Sequence, residues 1–322
     1  KTLIGNIEPE AEIAMEVQTS MYPIYDYLTG LNYKVKVGHP PGIKAITGST
    51  SKTDQKDSEI LANLLRLNYL PLSYVPTKAT LKAREILRTR IMIGREINRV
   101  KNRMHAFLTK NGVSYIVERF TDPFGKGGIR ELKKLKLNDY RDSILRTMIT
   151  QLESLRMQKD MIQSEMAKLS VDDDKVKLLM TINGVDYYSA LLILSEIGEI
   201  DRFRDEHTLC KYAGLVPSVR QSSSTLRTGR ITKAGPPTLR WILSVLADGI
   251  VRYNNPLRDF YRRIVRKKKS KKLAKTATAR KLLVMIYYML KNHEECRWTN
   301  PNITERKLAN LKKMCRKKVL VE

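Results

Sequence analysis

Short apolar runs and helical spacings alternate along the first quarter of the chain. Ile13-Ala14-Met15-Glu16-Val17 reads as a short buried strand, Met21 to Thr29 as a helix, and Tyr33–Val37 as a second strand. The Pro40-Pro41-Gly42 turn then leads to a helix through Ser58-Glu59-Ile60-Leu61-Ala62-Asn63-Leu64-Leu65 and a third strand at Leu70–Val75. Strands separated by helices predict an α/β region. From Ile86 to Leu108 the period changes. Ile93, Ile97, Val100, Met104 and Phe107 are spaced four, three, four and three apart, which is a heptad seam. A second seam runs Leu145, Met148, Leu152, Leu155, Ile162, Met166 and Leu169, interrupted where Lys159 takes the expected apolar place. The turn-rich stretch Asp122-Pro123-Phe124-Gly125-Lys126-Gly127-Gly128 lets the chain reverse between the seams. An antiparallel helical hairpin is expected, either a coiled coil joining subunits or two helices of one bundle.

After Asp172-Asp173-Asp174 the chain reads as helical with glycine turns. Ile182-Asn183-Gly184-Val185 feeding a helix start resembles half of a helix-hairpin-helix, whose free N–H groups suit a phosphate. Tyr212-Ala213-Gly214-Leu215-Val216-Pro217 leads into Gln221-Ser222-Ser223-Ser224-Thr225, followed by Arg227, Arg230, Lys233 and Gly235. Hydroxyls among cations suit a phosphate-handling loop, and a serine-rich linker would have the same composition.

Charge narrows the partner. The 322 residues carry 60 Lys+Arg against 33 Asp+Glu, a formal charge of +27, which points to a polyanion and first of all to nucleic acid. Residues 1–60 hold six basic and eight acidic side chains, whereas 262–281 hold eleven basic and none acidic. Arg266, Lys267, Lys268, Lys269, Lys271 and Lys272 are therefore expected to meet phosphates, as are Arg227, Arg230 and Lys233. Cys210, Cys296 and Cys315 are too scattered for a disulfide framework or a zinc knuckle, which fits a reducing compartment. No apolar run approaches the roughly twenty residues a membrane span needs. The four histidines lack metal-motif spacing and read as ordinary side chains.

The acidic N-terminal part carries the candidate chemistry. Asp54 and Asp57 in Lys52-Thr53-Asp54-Gln55-Lys56-Asp57 are three apart, hence on one helical face, and Glu16 ends the first strand. Oxygen-only carboxylate sets favour Mg²⁺ or Mn²⁺. Two acids in a first helical turn also complement the helix dipole, so the pair alone leaves both readings open.

Six segments together resemble the insertion-sequence one-ten transposases. They are Met15-Glu16-Val17-Gln18-Thr19-Ser20-Met21-Tyr22, Lys52 to Asp57, Ile182 to Val185, Glu196-Ile197-Gly198-Glu199-Ile200-Asp201-Arg202-Phe203, Tyr212 to Pro217, and Gly229-Arg230-Ile231-Thr232-Lys233-Ala234-Gly235, in the family's order. The resemblance implies an incomplete RNase H/RuvC-like domain over 1–80, a coiled-coil hairpin over 81–172, and a mostly helical C-terminal serine transposase domain with a helix-hairpin-helix-like element and basic tail over 173–322. It implies catalytic Glu16, Asp54 and Asp57 holding Mg²⁺ or Mn²⁺, and a nucleophilic serine. Ser222 is the expected one, with Ser224 as the alternative, because serine stands where the family's Ser-Gly has glycine. DNA, a structured guide RNA and a dimer or tetramer formed through the coiled coil are the implied partners, in a prokaryotic cytoplasm beside the nucleoid. The family's first aspartate has no counterpart before Glu16, so a chain lacking roughly its first fifty residues is expected. A water-using nuclease or junction resolvase, and a catalytically dead nucleic-acid-binding fragment, are the alternatives.

Overall fold

The computed structural model describes residues 8, 10–48, 53–222 and 225–316. Lys52, Ser223 and Ser224 lie outside them. The chain divides into two compact units, Lys1–Thr77 and Lys78–Glu322.

The first unit contains β1 (Glu12–Glu16), α1 (Met21–Gly30), β2 (Lys34–Gly38), α2 (Pro40–Thr47) and α3 (Asp54–Arg66). β1 and β2 pair in parallel, with Glu12 opposite Lys34 and Glu16 opposite Gly38. Parallel pairing demands a crossover, and α1 supplies it. Met15, Met21 and Val37 form a small core, with Tyr22, Tyr25, Val35 and Val75 against it. His39 starts α2, its Nδ1 accepting from the Gly42 N–H at 3.1 Å, with Pro40 and Pro41 in the first turn where missing N–H groups cost nothing. The expected third strand at Leu70–Val75 is not formed. Leu72 makes only an isolated antiparallel bridge to Gly38, flanked by the His39 N–H on Pro71 O and the Ser73 N–H on Val37 O, both 2.7 Å. Pro71 and Pro76 have no N–H to give, so a ladder cannot extend through the segment.

In the second unit α4 (Lys78–Lys110) and α7 (Tyr140–Ser170) are the long helices, and α5 (Tyr115–Glu118) and α6 (Lys126–Lys134) lie on the stretch that reverses the chain. Seam residues Ile93, Ile97, Val100, Met104, Leu145 and Leu152 are buried together. The helices run antiparallel. Arg103 Nη2 donates to Gln151 Oε1 at 3.1 Å, while Ala83 and Leu87 share a core with Met166 and Ala167. Gly128 permits the reversal, because a Cβ there would fall 1.7 Å from Pro123 O. The same core that holds Ala83 and Met166 continues into the remaining elements.

Those are α8 (Asp174–Met180), α9 (Tyr187–Ile197), a 3₁₀ turn at Ile200–Arg202, α10 (Glu206–Tyr212), β3 (Pro217–Ser222), β4 (Thr225–Ile231), α11 (Pro237–Ile250), α12 (Pro256–Lys268), α13 (Lys271–Asn292) and α14 (Pro301–Arg316). Short polar side chains fix several starts. Asp173, Asp186, Asp205, Asn255 and Ser270 each accept from an N–H in the turn that follows. At Asp205 the Thr208 hydroxyl and N–H pull the carboxyl down to about 2. The segment expected to be a polar loop is instead an antiparallel hairpin, β3 on β4, with Ser222 opposite Thr225. Val219, Thr225 and Thr228 are β-branched, and such residues favour strands.

Candidate functional site

Thr53 caps α3 through its hydroxyl, which accepts from the Lys56 N–H at 3.4 Å, and Asp54 and Asp57 fall in the first turn. Both acids therefore face the positive end of a helix. Glu16 ends β1 opposite Gly38. Gly38 is closely covered by side chains: a Cβ there would lie 2.8 Å from Ile43 Cδ1 and 3.3 Å from Leu61 Cδ2. Leu61 follows Asp57 by four residues and Asp54 by seven, on the same helical stripe. The stripe bearing both aspartates thus packs by its Leu61 over Gly38, the β2 residue that pairs with Glu16. Glu16 and Asp54 are exposed and Asp57 is half-buried. Among the described residues no three His, Cys, Asp or Glu side chains gather closely enough to enclose an ion.

The serine hairpin is anchored by two interlocked turns. Gly214 (φ 66°) and Gly235 (φ 77°) both adopt the left-handed conformation. A Cβ on Gly214 would sit 2.1 Å from Ala234 O, and one on Gly235 would sit 1.9 Å from Tyr212 O. Backbone lies directly on backbone there, which only glycine allows. Arg240 clamps the pair. Its Nη1 donates to Ala213 O, Ala234 O and Gly235 O at 3.2, 2.8 and 2.9 Å, and burial pushes its guanidinium below the ordinary range. The two motifs read separately in sequence, Tyr212 to Pro217 and Gly229 to Gly235, are one structural device. Arg240 was invisible in sequence because nothing local sets it apart from the chain's other arginines.

The register of the hairpin is informative. Arg220 pairs with Arg227, two positions along the ladder from the Ser222–Thr225 pair. At its foot a groove of about 880 Å³ is lined by Arg230, Lys233, Lys272, Arg280 and Lys281, with Phe260 among them. Lys281 Nζ lies 4.6 Å from the Phe260 ring centroid. The fold therefore gathers Arg230, Lys233 and Lys272. Arg266 and Lys267 line a separate cleft with Arg262 and Arg263, while Lys268 ends α12 and Lys269 turns the chain in the left-handed conformation (φ 49°) toward Lys271. Arg280 and Lys281 close the 262–281 basic run, and the groove is what sets these two beside Arg230 and Lys233.

Residues 2–111 match the DEDD_Tnp_IS110 transposase family and residues 176–262 match the transposase IS116/IS110/IS902 family, together more than half of the chain. The y4qE protein of Sinorhizobium fredii, which bears a transposase name, is 25% identical over 69% of this chain and 54% of its own length. The chain thus spans about half the length of that relative. The transposase for insertion sequence element IS1328 of Yersinia enterocolitica is 23% identical over 73% of this chain and 69% of its own. The pilin gene-inverting protein of Moraxella bovis is 26% identical over 81% and 74%. With both regions matched in the order of their motifs, the chain belongs to the IS116/IS110/IS902 family of transposases.

Proposed function

We propose that the chain acts as the DNA transposase or recombinase of an insertion sequence, cutting and rejoining DNA through Ser222. The observation that carries this reading is the β3–β4 register, which pairs Arg220 with Arg227 two positions from Ser222. Two arginines at paired positions so near a serine suit a phosphodiester. The serine oxygen attacks phosphorus, one bridging P–O bond breaks, and the serine proton ends on the departing deoxyribose oxygen. A hydroxyl of a second strand then attacks the phosphoserine and returns the proton. One ester replaces another at each step, so no nucleotide hydrolysis is required. Arg227, Arg230 and Lys233 neutralise the phosphoryl oxygens.

Glu16, Asp54 and Asp57 are the proposed holders of Mg²⁺ or Mn²⁺. A DEDD-type domain is consistent with divalent-metal dependence. Mg²⁺ keeps several waters and takes one or two carboxylates besides substrate phosphate, so a stripe bearing Asp54 and Asp57 suits it without a closed cage. When bound, such an ion makes a hydroxyl easier to ionise and offsets phosphoryl charge. The reading assigns 1–80 to a RuvC-like domain, 81–172 to a coiled coil joining a dimer or tetramer, and 173–322 to the serine domain, with the Gly184 turn as its helix-hairpin-helix element. A structured guide RNA is the partner that best accounts for a charge of +27.

Ser222→Ala should abolish strand exchange while leaving the melting temperature unchanged. Mass spectrometry of a stalled reaction should recover DNA on a peptide spanning Gln221–Arg227. Full activity in Ser222→Ala, Ser223→Ala and Ser224→Ala alike would replace serine by water as the nucleophile.

A further inference from the structure

We propose that a cationic cleft between α4, α7 and α11 is a separate binding site for a single-stranded phosphodiester backbone, with one base stacked on Trp241. The cleft, about 590 Å³, is lined by Arg90, Arg95, Lys101 and Lys159 together with Asn98 and Trp241, and no carboxylate is among its lining residues. It shares no lining residue with the groove at the serine hairpin, and the inference uses neither Ser222 nor the carboxylates of α3.

Lys159 is the residue that breaks the heptad seam of α7. An apolar side chain there would strengthen the helix pair. Burial pushes the Lys159 ammonium down, and Arg90, Lys101 and Arg156 press the same way while Asp160 acts against them. Lys101 has a long ion pair to Asp122, 3.4 Å. Arg90 stacks on the Tyr188 ring at 4.4 Å, and its buried Nε has no hydrogen-bond partner. Cations gathered this way repel one another, and a bound polyanion turns that repulsion into attraction.

The shape selects the polyanion. Arg90 to Lys101 spans about 16 Å of helix at 1.5 Å per residue, longer than one phosphate group and suited to a strand. α11 opens on the cleft with Pro237 in its first turn and no side-chain cap, so its positive end adds to the field. Trp241, one turn further, is 47% exposed. An exposed indole beside cations is a stacking platform for an unpaired base, whereas a duplex offers no free base face.

The test is local. The chain has two tryptophans, so Trp298→Phe leaves Trp241 as the only indole reporter in the full-length protein. Its emission is followed while adding a fifteen-nucleotide single-stranded DNA, the same sequence as RNA, a blunt duplex, or polyglutamate. Single strands should quench Trp241, and the stronger of the DNA and RNA arms identifies the source of the strand. Lys159→Met and Arg95→Ala should each weaken that quench titration about tenfold and lower the salt slope by about 0.7. Lys159→Met should also raise the melting temperature, because it restores the seam. Quenching by duplex alone or by polyglutamate, unchanged affinity in both variants, or a lowered melting temperature in Lys159→Met overturns the proposal. If Trp298→Phe does not fold, the same variants are compared by anisotropy of a labelled single strand competed with duplex.

Discussion

Lys307 and Gly235 carry structural weight that their neighbours in sequence do not reveal. Lys307 donates from Nζ to Ile182 O at 2.9 Å, Val185 O at 3.0 Å and Met180 O, filling carbonyls around the Gly184 turn. Lys307→Met would leave those acceptors unpaired in an apolar surround and should cost about 2–4 kcal/mol, read from a urea midpoint. Burial pushes Lys307 from 10.5 down to about 8. The folded protein therefore releases this proton before the unfolded chain does. Between pH 8 and 10.5 the unfolded state binds more protons, so this group's contribution to stability rises with pH across that window and is flat below it. The rise should be present in the parent protein and absent in Lys307→Met. At Gly235, an alanine Cβ would collide with Tyr212 O, and backbone cannot move aside as a flexible side chain could. Gly235→Ala should lower stability by more than about 3 kcal/mol and abolish binding of phosphate-bearing ligands to the groove below the hairpin.

At the scale of elements, α12 and α13 show why a run of cations need not act as one patch. Arg266, Lys267 and Lys268 close the last turn of α12, where positive charge complements the helix dipole. Lys269 then reverses the chain, and Lys271 and Lys272 open α13, where the dipole disfavours them. Cations at that end are held against local electrostatics, which is the pattern expected of phosphate contacts. Replacing Lys267, Lys268, Lys271 and Lys272 with Gln should weaken nucleic-acid binding to all sequences alike and flatten the salt slope by about 3–4 on duplex DNA. The two lysines of α13 should account for about half of the loss, and their removal should raise stability slightly. An unchanged salt slope would remove this surface from the nucleic-acid footprint.

Across the whole molecule, the N-terminal unit is lightly built: among its described residues Met15, Met21 and Val37 cluster as a core, with Leu28, Leu64 and Leu70 also buried. A bound ion should stabilise such a unit measurably. At ten times its dissociation constant, Mg²⁺ or Mn²⁺ adds about 1.4 kcal/mol, visible as an upward shift in melting. Asp54→Asn and Asp57→Asn should each remove that shift. Without metal, each should cost only about 0.3–1 kcal/mol, the contribution of an acid in a first helical turn. Equal shifts in parent and variants would assign the two aspartates to helix capping alone.

Local pattern fixed the elements whose signals are contained in a short stretch of chain. The strand at Glu12–Glu16, the helices from Met21 and Asp54, and the two heptad seams follow from periodicity, because burial on one face imposes it. The family motifs were legible for the same reason, being contiguous. Tertiary structure decided the rest. Pro71 and Pro76 stopped a strand that apolar content favoured, since pairing needs donors as well as hydrophobicity. Pro217–Ser222 and Thr225–Ile231 became paired strands because each offers the other backbone donors and acceptors. Gly214 and Gly235 met across twenty residues, and Arg240 and Lys307 acquired their roles only through neighbours distant in sequence. A lysine that merely interrupted a seam became part of a cationic cleft, because Arg90, Lys101 and Trp241 reach it only when three helices pack.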